Sequence, residues 1–191
     1  MEQRSRDTRG TGAANTPYYN GMDDIPTPEE GLIGCSQINL HHCIDATHTL
    51  NEWMANTNMH TMGAIKVTSK VALIQEPYLS YGKVKDISKD YNIFIGKENS
   101  KTRSCIVTTK NVVAWLLGQF SDEDQVAIAI ESDNNITVLA STYMPWNSVE
   151  PPPPENLKNL VKYCEDKNWK LIIGADANSH HISWGSTDVN K

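Results

Sequence analysis

Apolar runs in this chain repeatedly end at a polar side chain. VALIQEPYL (71–79) opens with four apolar residues in succession, the pattern of a strand buried on both faces, and Pro77 should end it. GCSQINL (34–40) is a shorter candidate strand, with Cys35, Ile38 and Leu40 as its apolar members. YNIFIG (91–96), RSCIVTT (103–109), VAIAIES (126–132) and ITVLASTYM (136–144) are rich in Val, Ile and Thr and predict further strands. SDNN between the last two suits a hairpin turn. WKLIIGADAN (169–178) predicts a final buried strand, whereas VVAWLL (112–117) fits a strand or a buried helix equally well.

Two stretches carry helical periodicity. From about His42 to Met54, the residues Cys43, Ala46, Leu50, Trp53 and Met54 share one face. PPPPENLKNLVKYCEDKN (151–168) starts with a proline stop and continues as an amphipathic helix. Its stripe is Leu157, Leu160, Val161 and Cys164, with Glu155 well placed in the first turn. NTNMHTMG (56–63) reads as loop. Residues 1–30, rich in Gly, Thr, Asn and Pro, predict a disordered leader, leaving 31–191 as one domain. Many short strands with two or three helices predict an α/β fold, sheets packed together with helices outside. No internal repeat is visible.

Composition narrows the class. At 191 residues, 39% hydrophobic and 21% charged, the chain predicts one soluble globular domain. It has no apolar run near the roughly 20 residues that cross a bilayer and no secretory signal, so an intracellular protein is expected. Cys35, Cys43, Cys105 and Cys164 lack CxxC spacing and read as reduced thiols, mostly packed in the interior. His41, His42 and Cys43 sit too close together to close a four-ligand zinc site. The formal charge of −6 excludes gripping nucleic acid by overall charge. Such a substrate needs a local basic patch, a metal ion, or both. Lys83, Lys85 and Lys89 form a mild basic run that either faces DNA or lies in a solvated loop.

The chemistry concentrates at the strand ends: Asn39, Glu76, Tyr143 and the Asp176/Asn178 pair. Strand alternation puts Asp176 and Asn178 on one face, so a rigid strand aims a charged oxygen and an amide at one point. Glu76 and Asp176 are hard ligands suited to Mg²⁺ or Mn²⁺. Asn39 and Asn178 suit phosphate oxygens or the orienting of a partner, and Tyr143 offers a further donor. Together these imply metal-assisted phosphoester hydrolysis. Taken singly, each has an ordinary explanation: a Glu before Pro is usually a turn residue, and Asp-x-Asn a turn or helix cap. Arg103 either contacts a phosphate or is a solvated strand-start arginine. Trp184 either stacks near the cleft or packs under its loop, while Trp53, Trp115 and Trp169 read as core or core-edge residues.

QEPYL, STYMP and IIGADANSHHISWGS resemble motifs of the endonuclease/exonuclease/phosphatase superfamily. More narrowly, with QINLHHCIDATHTL, they are similar to the apurinic-like endonuclease domain of insect non-LTR retrotransposons of the Jockey kind. The similarity runs from about residue 33 onward, in the family's order. It implies a four-layer α/β sandwich, two face-to-face mixed sheets flanked by helices. It implies a Mg²⁺-dependent endonuclease in which Glu76 is the metal ligand and Asn39 a metal-side residue. Tyr143 matches the active-site tyrosine, Asp176 the aspartate that positions the attacking water, and Asn178 its phosphate-binding neighbour. DNA is the implied partner, with a reverse transcriptase in the original polypeptide and access to the nucleus. The family's closing strands and Ser-Asp-His motif have no counterpart here, since only VNK follows WGSTD. The resemblance therefore implies a second half that is incomplete, in a truncated gene model, a fragment or a decayed copy. An inactive remnant and a phosphoesterase acting on a small or lipid substrate stand as alternatives. His180 and His181 read as loop residues near DNA rather than as substitutes for the absent histidine.

Overall fold

The computed structural model describes residues 32–56, 67–97, 101–132, 134–148 and 151–178. The expected leader, most of the 56–63 loop, and the segment bearing His180, His181 and Trp184 lie outside the described residues.

Two four-stranded sheets form the body. The first contains β1 (Ile33–Asn39), β2 (Ser69–Gln75), β5 (Tyr91–Phe94) and β6 (Ser104–Thr109), in the order β1-β2-β6-β5. The second contains β7 (Ala114–Leu116), β8 (Gln125–Ser132), β9 (Asn135–Tyr143) and β10 (Lys170–Asp176), in the order β10-β9-β8-β7. Each sheet has one parallel pair, β1 with β2 and β9 with β10, and is otherwise antiparallel. Helix α1 (Ile44–Ala55) makes the first parallel crossover and α2 (Glu155–Lys167) the second. A short hairpin, β3 (Leu79–Ser80) with β4 (Lys83–Val84), stands apart.

The sheets meet face to face through Val71, Leu73 and Ile106 on one side and Val126, Ile128 and Leu139 on the other. The outer face of the first sheet, with Ala72, Ile74, Cys105 and Val107, is covered by Leu50 and Met54 of α1. The outer face of the second, with Ala127, Ala129, Val138 and Ala140, is covered by Leu157, Leu160 and Cys164 of α2. Small residues on that face let α2 sit close, and Asn168 ends the helix in a left-handed cap at φ 53°. The result is the expected four-layer sandwich, helix on sheet on sheet on helix. Among the described residues no helix is long and apolar enough to cross a membrane.

Several details depart from the sequence reading. VVAWLL resolves as strand, pairing Ala114–Leu116 with β8. The strand expected from Val71 to a stop at Pro77 starts two residues earlier and runs from Ser69 to Gln75, and a hairpin takes up Leu79. The final strand is not buried: Ile172 is 48% and Ile173 40% exposed, because β10 is the edge of its described sheet. Two cysteines, Cys105 and Cys164, are buried as expected, whereas Cys35, on the other edge strand, and Cys43, before α1, are exposed. Lys70 is buried although charged. Its ammonium reaches the carbonyl oxygens of Trp53 and Asn56 at the end of α1, satisfying acceptors that a helix C-terminus leaves open.

Candidate active site

The two parallel pairs deliver their carboxyl ends to the same place. Asn39 is the last residue of β1 and pairs with Gln75, directly before Glu76. Asp176 is the last residue of β10 and pairs with Tyr143, the last residue of β9. Four of the sequence-predicted residues therefore stand at one level, where hydrophobic strands stop. Asn39 Nδ2 donates to Asp176 Oδ2 at 2.5 Å, joining residues 137 positions apart and linking the edge strands of the two sheets.

The other oxygen of Asp176 accepts the backbone N–H of Asn178 at 3.0 Å. The Asn178 side chain donates to the Met144 carbonyl at 3.0 Å and also contacts the Tyr143 phenol. Met144 N–H in turn donates to the Asp176 carbonyl at 2.8 Å. Burial pushes the Tyr143 phenol above its ordinary pKa; the negative charges of Glu76 and Asp176 add to the rise, and Asn178 and Arg103 oppose it. Tyr143 thus stays a protonated donor at neutral pH.

Glu76 is held differently. His41 Nδ1 lies 3.2 Å from its Oε2, and His42 Nε2 lies 4.0 Å from its Oε1. His41 N–H also donates to Asn39 Oδ1 at 2.8 Å, which closes a chain of contacts from Glu76 through His41 and Asn39 to Asp176. His41, His42, Glu76 and Asn178 all have positive φ, between 44° and 54°. Side chains other than Gly adopt that region at a cost, and its concentration here marks a backbone bent to serve the site.

Beneath the site lies a buried polar layer. Gln75 is fully buried and its amide nitrogen donates to Ser141 Oγ at 2.9 Å and to the Gly174 carbonyl at 3.0 Å. Its oxygen accepts from Gln37 Nε2 at 2.6 Å, and Ser141 Oγ donates to the Ile74 carbonyl at 2.8 Å. Gln37, Ser141 and Gly174 each precede a site residue by two positions, and Gln75 precedes Glu76 by one. Gly174 is required there: a Cβ would come within 2.8 Å of the Gln37 side chain and 2.9 Å of Leu73.

Arg103 stands in the wall of the site. Its guanidinium pairs with the Asp124 carboxylate, by a 2.7 Å hydrogen bond to Oδ2 and a close contact from Nε to Oδ1, and lies 5.5 Å over the Tyr143 ring. Its carbonyl accepts the Glu76 N–H at 2.8 Å. Its side chain is thereby engaged in holding the scaffold. Lys83, Lys85 and Lys89 are exposed. Sequence reasoning weighed His41 only against a zinc site and passed over the Gln75 layer. A doublet of histidines after a strand, and a glutamine inside an apolar run, were the available signals.

Gln37, Asn39 and His41 on one side, and Ala175 to Asn178 on the other, line a cleft of about 550 Å³. Among the described residues, no group of three or more His, Cys, Asp and Glu is arranged to hold a metal ion by itself. Chemically, the cleft offers the oriented Asp176 carboxylate with amide groups around it, and next to its lining stand Glu76, reached through His41, and the Tyr143 phenol, in contact with Asn178.

No protein-family model matches the sequence, and no curated protein does. Solved structures resemble it, among them the following two. The endonuclease/exonuclease/phosphatase family protein from Leptotrichia buccalis C-1013-b is 15% identical, with a TM-score of 0.43 over 81% of this chain and 69% of that one. The endonuclease domain of TRAS1, a telomere-specific non-LTR retrotransposon, is 20% identical, with a TM-score of 0.53 over 81% of this chain. The match spans 63% of the TRAS1 chain. What this likeness establishes is architecture: the chain has the fold of the TRAS1 endonuclease domain.

Proposed function

We propose that this chain is a metal-dependent DNA endonuclease domain of the endonuclease/exonuclease/phosphatase superfamily, nicking one strand by direct attack of water. The observation that carries this reading is the 2.5 Å bond from Asn39 to Asp176, which draws both sheets' strand ends into one cleft beside Glu76 and Tyr143. The fold shared with an endonuclease domain supports it, and DNA as substrate is taken from that neighbour's description.

In this mechanism Asp176 is fixed by two amide donors, and each oxygen keeps a lone pair for a water molecule. The water oxygen bonds to phosphorus, its proton passes to Asp176, and the phosphodiester bond breaks, the leaving oxygen departing as an alkoxide that takes a proton from solvent. Tyr143, kept protonated by burial and neighbouring charge, donates to a phosphate oxygen, with Asn178 beside it. Glu76, with the Asn39 amide oxygen nearby, is the donor set for Mg²⁺ or Mn²⁺. Hard oxygens from one or two side chains, with water in the remaining positions, suit such an ion. When bound, the ion neutralises charge at the phosphate. The cleft is rimmed by exposed residues, His41, Ala175 and Ala177, which suits a polymer backbone lying across it better than an enclosed small ester. In a mobile element with access to nuclear DNA, the nick would expose a 3′ hydroxyl for a reverse transcriptase of the same polypeptide.

The test is a nicking assay on supercoiled plasmid with Mg²⁺ or Mn²⁺, run beside phospholipid vesicles. Nicked circles that disappear in Asp176→Asn are expected. Intact plasmid together with cleaved lipid overturns the DNA reading.

A further inference from the structure

The hairpin that leaves Glu76 has a tip built at a cost the fold does not need. Leu79 pairs with Val84 and Ser80 with Lys83, so the loop is only Tyr81–Gly82. Both loop residues are left-handed, at φ 51° and 73°. Two-residue turns of this kind favour Asn or Asp before Gly, because the left-handed region brings Cβ against the following carbonyl oxygen and only a short polar side chain offsets this by hydrogen-bonding locally. Here the first position is a tyrosine, and it is fully exposed. The chain therefore accepts both a strained backbone and an unburied aromatic ring at one point.

The rest of the hairpin is fastened down. Lys85 N–H donates to the Tyr78 carbonyl at 3.0 Å, and His42 Nδ1 contacts the Pro77 carbonyl at 2.9 Å. Asn51 of α1 donates to the Asp86 carbonyl at 2.6 Å and accepts from Ser88 N–H at 3.1 Å. Ile87 packs into the core under α1. The ring is thus presented on a stiff support that begins three residues after Glu76. Between 77 and 85 the segment PYLSYGKVK contains no acid, while Lys83 and Lys85 are exposed. The flanking acids, Glu76 before the segment and Asp86 after it, sit at its foot, with Asp90 and Lys89 beyond. In a chain of net charge −6, the two lysines make the hairpin tip locally positive, and its root adjoins Glu76, since His42 contacts both the Pro77 carbonyl and the Glu76 carboxylate.

We infer that the 79–85 hairpin is a duplex-DNA contact: Lys83 and Lys85 hold phosphates flanking the cleaved one, and the Tyr81 ring lies against a base or sugar edge in the groove. The inference deepens the endonuclease reading and rests on it. A polyanion with apolar groove surfaces satisfies both features at once, since cations neutralise phosphates and an aromatic face stacks without needing a given sequence.

The experiment measures binding of a short fluorescent duplex by anisotropy, without divalent metal, over a range of salt. Tyr81→Asn suits the left-handed turn better than the native residue and should fold at least as well. It is expected to weaken binding about tenfold, with the salt dependence unchanged. Lys83→Ala with Lys85→Ala is expected to lower the slope of log affinity against log salt by about 2. Wild-type affinity and slope in both variants overturn the inference, as does a wild-type protein that binds no duplex. Duplex binding that responds to these variants without any plasmid nicking sustains the contact surface and overturns the nuclease reading alone.

Discussion

At the end of β10, both oxygens of Asp176 receive amide N–H groups, from Asn39 and from the chain itself at Asn178. At the end of β2, Glu76 meets two imidazoles instead, His41 at 3.2 Å and His42 at 4.0 Å. Amide bonds from a rigid strand and its own turn fix a carboxylate's direction and leave its charge in place. Imidazoles on a loop, one of them largely exposed, are partners a cation can displace. The difference teaches that two acids of one neighbourhood are held differently, and under the proposed mechanism this suits Asp176 to aiming and proton acceptance and Glu76 to exchanging a neutral or cationic neighbour for a metal ion.

Four substitutions test that division. Asp176→Asn keeps the shape but removes the proton acceptor. Plasmid nicking is expected to fall about 10³-fold, near 4 kcal/mol of barrier, and to stay low however much metal is added. Glu76→Gln should cost about 10²-fold at fixed Mg²⁺ and recover in part as the metal concentration rises, because a ligand rather than the acceptor is lost. If the two variants respond alike to added metal, the division collapses. Asn39→Ala frees one oxygen of Asp176, so a roughly tenfold fall in kcat with little change in KM is expected from looser aim. His41→Ala should have the smallest effect, about a threefold lower metal concentration for half-maximal nicking. A higher requirement would make His41 an assistant of Glu76 rather than its competitor.

Much of this could be read from the chain alone. Asn39, Tyr143 and Asp176 were legible because each ends an apolar run, and a strand that stops at a polar residue exposes that residue at the edge of the core. Glu76 was legible for the same reason, sharpened by Pro77. What escaped the reading is equally physical. The β3–β4 hairpin has only two residues per strand, too few to show any period. Its turn was hidden because Tyr-Gly is not a residue pair that announces a left-handed loop. Gln75 lies in a run of otherwise apolar residues, and only the opposing Ser141 and the Gly174 carbonyl explain how a buried amide is tolerated. Ile172 and Ile173 look like core residues, yet their exposure depends on which strands lie alongside β10, a non-local fact. Lys70 is the mirror case, a charge buried because the end of α1 supplies carbonyls for it.

The Gln75 amide, gripping Ser141 and the Gly174 carbonyl where the missing Cβ of Gly174 lets Leu73 come close, acts as a dowel through both sheets. Sliding one sheet past the other would shear those bonds in the dry interior, so the strand ends have no hinge on which to open and shut. On heating, the spacing between the two halves of the cleft should persist until the whole domain melts in one step, and a thermal inactivation curve should overlay the unfolding curve.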